Sequence, residues 1–563
     1  MSRGRGLSAT ASSNGSFRVI GDPLAPAATR YVTNNGAAVI WLPWPQIQDP
    51  ERAQLVALLS AARSRLYLVN AGPTQLVVLP SEGVTLGGGV GNWAQSPVTA
   101  NLVWTVSDSG GDVVAQLTNA AYVAAGQVLT VSPTDAGQLP PGDYTVTASL
   151  VAGTVEVDRI QSRVRVFDPT ASFIPSERIV VSNGAFSTAG GKRLFLQGVN
   201  YWPHYVAGVE PAGFAGSWLA PQNYDPDVVD SNLSLLASLH FNLVSIQYAI
   251  QQPGIDEARS LVDFLDRCRK HGIWANIAFL PFIPVASPLI LEYDGELLGI
   301  NPNIGSILEA AFVPGNDRVF AFDLLWEPGL FSQTARAAID GAWRTWLTGQ
   351  YGSTSNAETA WGFTAPRDSQ GQVSNPLDSQ FQNDGAWRVM VAAYRRFADD
   401  YLGHGLAVGA RAIQAVAPGT LLSFRNGAGT WSVYNNRFVA YDLGVAAAHV
   451  DFVSSELYGC CSSNGGIAPL SWPDSRGFGF GAAYGQYRSA GKPVYWAEYG
   501  FNVGFTSTAA SLASQASTAD AMMHIVNEDG SAAASAWWMP GGWRSDSGDD
   551  YGILNPDGSR VAP

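Results

Sequence analysis

From about residue 178 onward, eight short apolar segments alternate with longer segments in which apolar residues recur with the period of a helix. The apolar segments are Leu194–Asn200, Leu243–Tyr248, Ile273–Phe279, Val319–Trp326, Thr420–Asn426, Phe452–Tyr458, Val494–Glu498 and Ala534–Trp538. The helical segments are Asp227–Leu239, Ala258–His271, Trp387–Asp400, Leu406–Ala417, Gly481–Ala490 and Leu512–Asn527. Eight strands with helices between them is the number found in a parallel (β/α)8 TIM barrel.

A doubly wound open sheet is the competing architecture for such an alternation. That fold places a glycine-rich phosphate loop directly after its first strand. Here the first strand is followed by Tyr201 and Trp202 instead. The sequence therefore favours the barrel.

The N-terminal third has a different texture. Residues 17–169 are rich in Val, Thr and Gly, with short alternating runs and turns such as Pro140–Asp143. This pattern is typical of a β-sandwich-like domain. One helix is predicted within it, at Pro50–Ala62. A linker is predicted at Asp168–Pro175, which gives a flexible tail over residues 1–16, a β-rich accessory domain over 17–172 and the barrel over 173–563.

Composition excludes several classes of function. Lys plus Arg number 32 and Asp plus Glu 46, so the net charge is −14, which is the wrong sign for binding nucleic acid. No apolar run reaches the length of about 18 residues that a membrane span needs. Three Cys and six His show no zinc spacing, and we expect neither a metal nor a cofactor. Cys460 and Cys461 are compatible with a vicinal disulfide or with two free thiols.

Location and assembly are expectations of a weaker kind. The acidic, aromatic-rich composition favours a secreted protein whose leader is absent from this sequence, and a cytoplasmic protein is the alternative. We expect a monomer whose partner is a carbohydrate substrate.

Chemistry in a TIM barrel lies at the carboxyl ends of its strands. Glu327 ends the fourth predicted strand and Glu498 the seventh, in a setting of many aromatic residues. Two carboxyl groups about 5–5.5 Å apart are what a retaining glycosidase uses as nucleophile and acid/base. The candidate substrate-binding residues near the strand ends are Asn200, Trp202, His204, Gln247, Trp326, Arg425, Glu456, Tyr458 and Trp538.

Three segments carry a family resemblance: Arg193–Trp202 (RLFLQGVNYW), Val319–Pro328 (VFAFDLLWEP) and Lys492–Gly500 (KPVYWAEYG). Residues 178–563 resemble the clan-A retaining glycoside hydrolases, and among them the mannanase- and glucanase-like enzymes of family 5, in divergent form. The resemblance implies that Glu498 is the nucleophile and Glu327 the acid/base. It also implies that Tyr458 hydrogen-bonds the nucleophile and that Trp538 floors the sugar site.

The sequence departs from that family at three positions. Trp326 stands where the family has the Asn that precedes the acid/base, Ser245 where it has an Arg near the end of strand two, and Glu456 where it has a His. Tyr458, Arg425 and Gln247 are the candidates to supply the missing donors. Glu456 either faces the site or forms a salt bridge with Arg425.

One further acid shares the alternating register of the fourth strand. Asp323 lies two residues before Leu325 and four before Glu327, so it points into the barrel. We expect it to be a buried structural acid, hydrogen-bonded within the barrel, and not a catalyst.

The sequence thus predicts a retaining β-glycosidase that hydrolyses a poly- or oligosaccharide by double displacement. One alternative is a non-catalytic carbohydrate-binding protein on a decayed glycosidase barrel. Another is an inverting hydrolase, which would hold its two carboxyl groups about 6.5–9.5 Å apart.

Overall fold

The computed structural model describes residues 15–22, 25–33, 38–41, 65–171, 173–203, 218–220, 224–249, 255–280, 304–326, 332–426, 442–457, 484–539, 541 and 548–554. The chain divides into two compact units, residues 1–172 and 173–563. The division falls inside the segment that the sequence indicates as a linker.

The N-terminal unit is built from strands. They are β1 (Gly15–Asp22), β2 (Ala25–Thr33), β3 (Ala38–Trp41), β4 (Leu66–Pro73), β5 (Val77–Val78), β6 (Gly83–Asn92), β7 (Val98–Ser107), β8 (Val113–Val123), β9 (Gln127–Gln138), β10 (Gly142–Ala152) and β11 (Val155–Val166). β1–β2–β3 form one antiparallel sheet, β4–β6–β9 a second, and β5–β11–β10–β7–β8 a third. The predicted helix Pro50–Ala62 lies outside the described residues.

Alternation of apolar and polar residues explains how the second and third sheets pack. Along β10, Tyr144, Val146, Ala148 and Leu150 are buried while the residues between them are partly exposed. These side chains join one core with apolar residues of β4, β6 and β9, including the fully buried Leu86. Two sheets that share one core make a β-sandwich, as the sequence predicts.

The second unit contains a closed barrel of eight parallel strands. Its strands, in both chain and spatial order, are β15 (Leu196–Tyr201), β16 (Leu243–Ala249), β17 (Trp274–Leu280), β18 (Val319–Trp326), β19 (Leu421–Asn426), β20 (Val453–Leu457), β21 (Val494–Tyr499) and β22 (Ala533–Met539). β22 pairs with β15 and closes the ring. The predicted barrel is confirmed, and each predicted strand overlaps an observed one.

Helices lie between the barrel strands. They are α1 (Pro226–Ser238), α2 (Ile255–Lys270), α3 (Ile304–Ala310), α4 (Gln333–Arg336), α5 (Asp340–Tyr351), α6 (Thr354–Trp361), α7 (Asp378–Gln382), α8 (Arg388–Val416), α9 (Leu443–Ala447) and α10 (Ala509–Asp529), with a further helical turn at 484–488 and 3-10 turns at Pro175–Glu177 and Ala337–Ile339. Among the described helices, none is both long enough and apolar enough to cross a membrane.

One helix differs from the prediction. The sequence predicts two helices, Trp387–Asp400 and Leu406–Ala417, but α8 runs unbroken for 29 residues through the glycines between them. Gly403 permits close packing instead of ending the helix, because a Cβ there would lie 3.2 Å from Val445 Cγ1 of α9. Packing of this kind offsets the cost of about 1 kcal/mol that a glycine adds inside a helix.

A small antiparallel sheet closes the amino-terminal end of the barrel. It consists of β12 (Ile179–Ser182), β13 (Ala185–Thr188) and β14 (Arg193–Leu194). Phe186 of β13 is fully buried and meets the rings of Phe320 and Phe452 edge-on at 4.9 and 5.2 Å between centroids. Apolar residues from seven barrel strands join this cluster, so the floor of the barrel is apolar.

Because Phe186 packs in the barrel floor, we expect its replacement to destabilise the protein more than replacement of Phe195. Phe186→Ala removes a fully buried ring and should lower the free energy of unfolding by about 3–5 kcal/mol. Phe195→Ala is the matched control, since that side chain is 42% exposed, and it should change stability by about 1 kcal/mol or less. Urea unfolding followed by tryptophan fluorescence measures both. Equal losses in the two variants would contradict the prediction.

Candidate active site

Six polar side chains from six barrel strands form one hydrogen-bonded group inside the barrel. We call this group the arginine cluster; its members are Asn200, Ser245, Asn276, Asp323, Arg425 and Glu498. All six are buried. TIM barrels fill this interior mainly with branched apolar residues, so a polar layer here indicates a functional role.

Arg425, the fifth residue of β19, lies at the centre of the cluster and is fully buried. Its Nη1 donates to Glu498 Oε1 at 2.7 Å and to Asn200 Oδ1 at 2.9 Å. Its Nη2 donates to Ser245 Oγ at 2.7 Å and to Asp323 Oδ2 at 3.1 Å. The two carboxylates raise the pKa of the guanidinium against the opposing effect of burial, so Arg425 is charged.

Asp323 of β18 is the second carboxylate on that guanidinium. Its Oδ2 also accepts a hydrogen bond from Asn276 Nδ2 at 2.8 Å. Burial raises the pKa of Asp323, while Arg425 and Asn276 act in the opposite direction. The expectation of a buried acid held by hydrogen bonds inside the barrel is confirmed.

Glu498 of β21 is buried at the carboxyl end of the seventh strand. In the pairing of β20 with β21 it lies opposite Glu456, just after an irregularity in the strand register. Glu456 is buried too, but the carboxylates paired with Arg425 are Asp323 and Glu498. The salt bridge between Glu456 and Arg425 that the sequence left open is therefore not formed.

Asn200 of β15 connects the cluster to the backbone of neighbouring strands. Its Nδ2 donates to the carbonyl oxygens of Ala497 and Ala536 at 2.9 and 3.2 Å, while its Oδ1 accepts from Arg425. An amide that bridges β15, β21 and β22 fixes the position of Glu498 relative to the barrel wall. This placement leaves Asn200 buried.

The guanidinium reaches the side of the barrel where the family resemblance places an arginine. Ser245, on β16, is the position aligned with that arginine, and its hydroxyl accepts the bond from Arg425 Nη2. A serine is small enough to leave room there, and the long side chain of Arg425 fills it from β19. Placement of Arg425 beside Glu498 agrees with the sequence-based expectation, and its part in catalysis stays a prediction.

Aromatic rings lie beside the cluster at the ends of β15, β18 and β22. Arg425 Cζ lies 3.7 Å from the centroid of the half-buried Trp326 ring, a cation–π contact. Trp326 meets Trp537 at 5.7 Å, and Trp202 packs against Trp537 and Trp538 at 5.4 and 5.2 Å. The peptide bond between Trp537 and Trp538 is cis. Trp538 is 1% exposed whereas Trp537 is half-buried, so Trp537 offers more surface to a ligand.

The remaining predicted site residues fall into two groups. Gln247 lies on β16, two residues beyond Ser245, and is partly buried. Glu327, Tyr458 and His204 lie outside the described residues, as do Cys460 and Cys461. Glu327 directly follows Trp326, the last residue of β18.

Sequence reasoning missed two residues of this region. Asn276 stands as the one amide in the apolar run of β17, which was a usable signal for an inward polar contact. Trp537 is more exposed than the predicted Trp538, and the sequence does not show which of two adjacent tryptophans stays accessible. Three other aromatic residues of the barrel unit, Tyr201, Trp218 and Trp496, are fully buried in its core.

A metal site is not indicated by the described part of the chain. Within it, no three His, Cys, Asp or Glu side chains come together in a way that could hold an ion. The charges of the arginine cluster are instead balanced by hydrogen bonds and by the buried guanidinium.

No protein-family model and no curated protein sequence matches the chain. Among solved structures, it is similar to a β-glucuronidase from Bacteroides uniformis, with 12% identity over 88% of this chain and 50% of that one at a TM-score of 0.36. A putative β-galactosidase from Bacteroides fragilis shows 12% identity over 88% of this chain and 58% of that one, at a TM-score of 0.36. A GH2 β-galacturonidase from Eisenbergiella tayi, bound to glycerol, shows 13% identity over 88% of this chain and 70% of that one, at a TM-score of 0.39. The chain spans about half the length of the first of these.

Removing the central cation should destabilise the barrel. Arg425→Ala leaves two buried carboxylates without a counter-charge, and we expect a loss of about 3–5 kcal/mol in the free energy of unfolding near neutral pH. Burial already raises the pKa of Asp323, and losing Arg425 raises it further. The protonated folded form is then favoured, so the deficit against wild type should shrink as the pH falls toward about 5. Urea unfolding at the two pH values tests this, and a deficit that grows on acidification would contradict it.

Proposed function

We propose that the barrel is a retaining β-glycosidase in which Glu498 is the nucleophile and Glu327 the acid/base. The observation that carries the proposal is the buried Glu498 carboxylate at the carboxyl end of β21, bonded at 2.7 Å to a buried guanidinium in a closed parallel barrel. A nucleophilic carboxylate must stay ionised and fixed in direction, and a charge-assisted bond of this kind does both.

In the first step, a Glu498 oxygen attacks the anomeric carbon of the sugar and the bond to the leaving oxygen breaks. Glu327 gives its proton to that oxygen, and a covalent glycosyl–enzyme forms. In the second step, Glu327 takes a proton from water, the resulting hydroxide attacks the anomeric carbon, and Glu498 leaves as carboxylate. The sugar keeps its β configuration because the carbon is inverted twice.

The aromatic rings at the strand ends support a carbohydrate substrate. Sugar rings have apolar faces that stack on aromatic side chains, and Trp326 and Trp537 are both half-buried beside the cluster. Trp326 also covers the guanidinium of Arg425, which keeps water from the bond to Glu498 and strengthens it. We propose a poly- or oligosaccharide as the substrate class.

The catalytic pair is tested by removing each carboxylate. Glu498→Gln should lower turnover of both 2,4-dinitrophenyl and polysaccharide substrates by several orders of magnitude, and Glu327→Gln should do so for polysaccharides, whose leaving oxygen needs a proton, while circular dichroism stays that of wild type. Azide should restore turnover of Glu498→Gly and give a glycosyl azide of inverted configuration. Asp340→Asn changes a buried carboxylate of α5 that is bonded to Asn375 and is not a member of the arginine cluster, so it serves as the control and should keep near-normal turnover.

Two further measurements separate the retaining enzyme from its rivals, the inverting hydrolase and the non-catalytic binding protein. Product configuration followed by proton NMR shows β sugar first for a retaining enzyme and α sugar first for an inverting one. Saturable binding of an oligosaccharide without any bond cleavage, in wild type as in Glu498→Gln, would favour the decayed barrel and contradict the proposal.

The aromatic neighbour of the acid/base leads to a further prediction. Trp326→Asn introduces the residue that the family has at this position, yet it removes the ring that covers Arg425. We expect it to lower turnover and not to create a glucanase or mannanase activity. Trp326→Phe, which keeps an aromatic face, should retain more activity than Trp326→Asn. Hydrolysis of cellulose- and mannan-derived oligosaccharides checks this, and a gain of activity in Trp326→Asn would contradict it.

A further inference from the structure

The bond between Arg425 and Glu498 is shared with a second anion. Nη1 of the guanidinium donates to Glu498 and Nη2 donates to Asp323. The side chains of both acids are almost wholly inaccessible to solvent. One positive charge therefore serves two carboxylates. A guanidinium divided in this way stabilises the charge on either acid less than it would stabilise one acid alone.

We propose that Asp323 is a positioning residue that sets the acidity of Glu498 through Arg425. While Asp323 is negative, it opposes part of the field of the guanidinium and repels the charge on Glu498. The acid thus keeps enough basicity to act as a nucleophile. This account rests on the proposed function only where it concerns turnover, because the effect on acidity exists whether or not the barrel is an enzyme.

Among the described residues, the titratable groups near Glu498 are Arg425 from β19, which bonds to it, Asp323 from β18, which bonds to the same guanidinium, Glu456 from β20, which lies opposite it in the strand pairing, and Tyr495, three residues before it on β21. Burial raises the pKa of Tyr495, whose hydroxyl lies 2.8 Å from Ser535 Oγ, so it is neutral and adds no charge. Asn200 and Ser245 contribute dipoles only. Of the acids, Asp323 is the one that shares the cation with Glu498.

The substitution Asp323→Asn isolates the charge. Both hydrogen bonds to Asp323 arrive at Oδ2, from Arg425 and Asn276, so an amide oxygen in that place accepts them both. The shape and these bonds are kept while the negative charge is lost. The pKa of Glu498 should then fall by about one unit, because a like charge that disfavours its ionised form is removed.

Two readouts test the proposal on the full-length protein. Carbon-13 NMR of protein labelled at the glutamate δ-carbon gives the pKa of Glu498 directly, with its signal assigned by its loss in Glu498→Gln. The pH profile of kcat/KM, measured on 2,4-dinitrophenyl β-D-glycosides, gives it kinetically. Dinitrophenolate leaves without a proton, so the acid limb reports the nucleophile and not Glu327.

In Asp323→Asn, we expect the NMR titration and the acid limb to move to lower pH together, and kcat/KM on the plateau to fall several-fold as the carboxylate becomes less basic. Asp340→Asn is the matched control, because Asp340 is also a buried acid that accepts from an asparagine amide, at 2.9 Å, but lies on α5. It should leave both readouts unchanged. If Asp323→Asn does not fold, Asp323→Ser removes the same charge in a smaller side chain.

The outcomes are distinct. A pKa of Glu498 that stays constant or rises in the uncharged variants overturns the proposal, since Asp323 would then be only structural. A pKa that falls in a protein with no activity on any glycoside supports the sharing of Arg425 and counts against the proposed function alone.

Discussion

A single guanidinium in the middle of the barrel determines how the rest of the interior is built. Burying a charge without partners would cost several kcal/mol, so every strand near Arg425 must offer it an acceptor or leave it room. β15, β16, β18 and β21 supply the acceptors through Asn200, Ser245, Asp323 and Glu498. The polar interior follows from the charge at its centre.

The cluster also explains why the site can be rigid. Its bonds tie strands that lie on opposite sides of the ring, so each side chain is held by elements that cannot move independently. Below it, the apolar floor around Phe186 fixes the amino-terminal ends of the same strands. Catalysis by positioned charge requires this kind of support, because displacing a nucleophile by about 1 Å can cost two orders of magnitude in rate.

Much of this arrangement could be predicted from the sequence, and the exceptions have physical reasons. The strands were found because buried parallel strands are continuous apolar runs, and Val319–Trp326 was predicted with its observed bounds. α8 was divided wrongly because Gly403 serves packing against α9, a contact that local sequence does not reveal. The sequence indicates Arg425 as a candidate because Ser245 stands where the resembling family has an arginine, so another side chain has to supply the positive charge. The sharing of Arg425 between Glu498 and Asp323 depends on the order of strands in space, which no local pattern contains.

The position of the arginine shows what barrel geometry permits. Near the axis of an eight-stranded ring, a point is within reach of long side chains from several strands at once. A carboxylate on β21 needs a cation beside it, and that cation can come from β19 as well as from β16, provided that the strand left without it carries a small residue. Ser245 is that residue here, and its hydroxyl accepts a bond from the guanidinium of Arg425. The position of the cation beside the carboxylate is therefore fixed by electrostatics, while the strand that supplies the cation can differ.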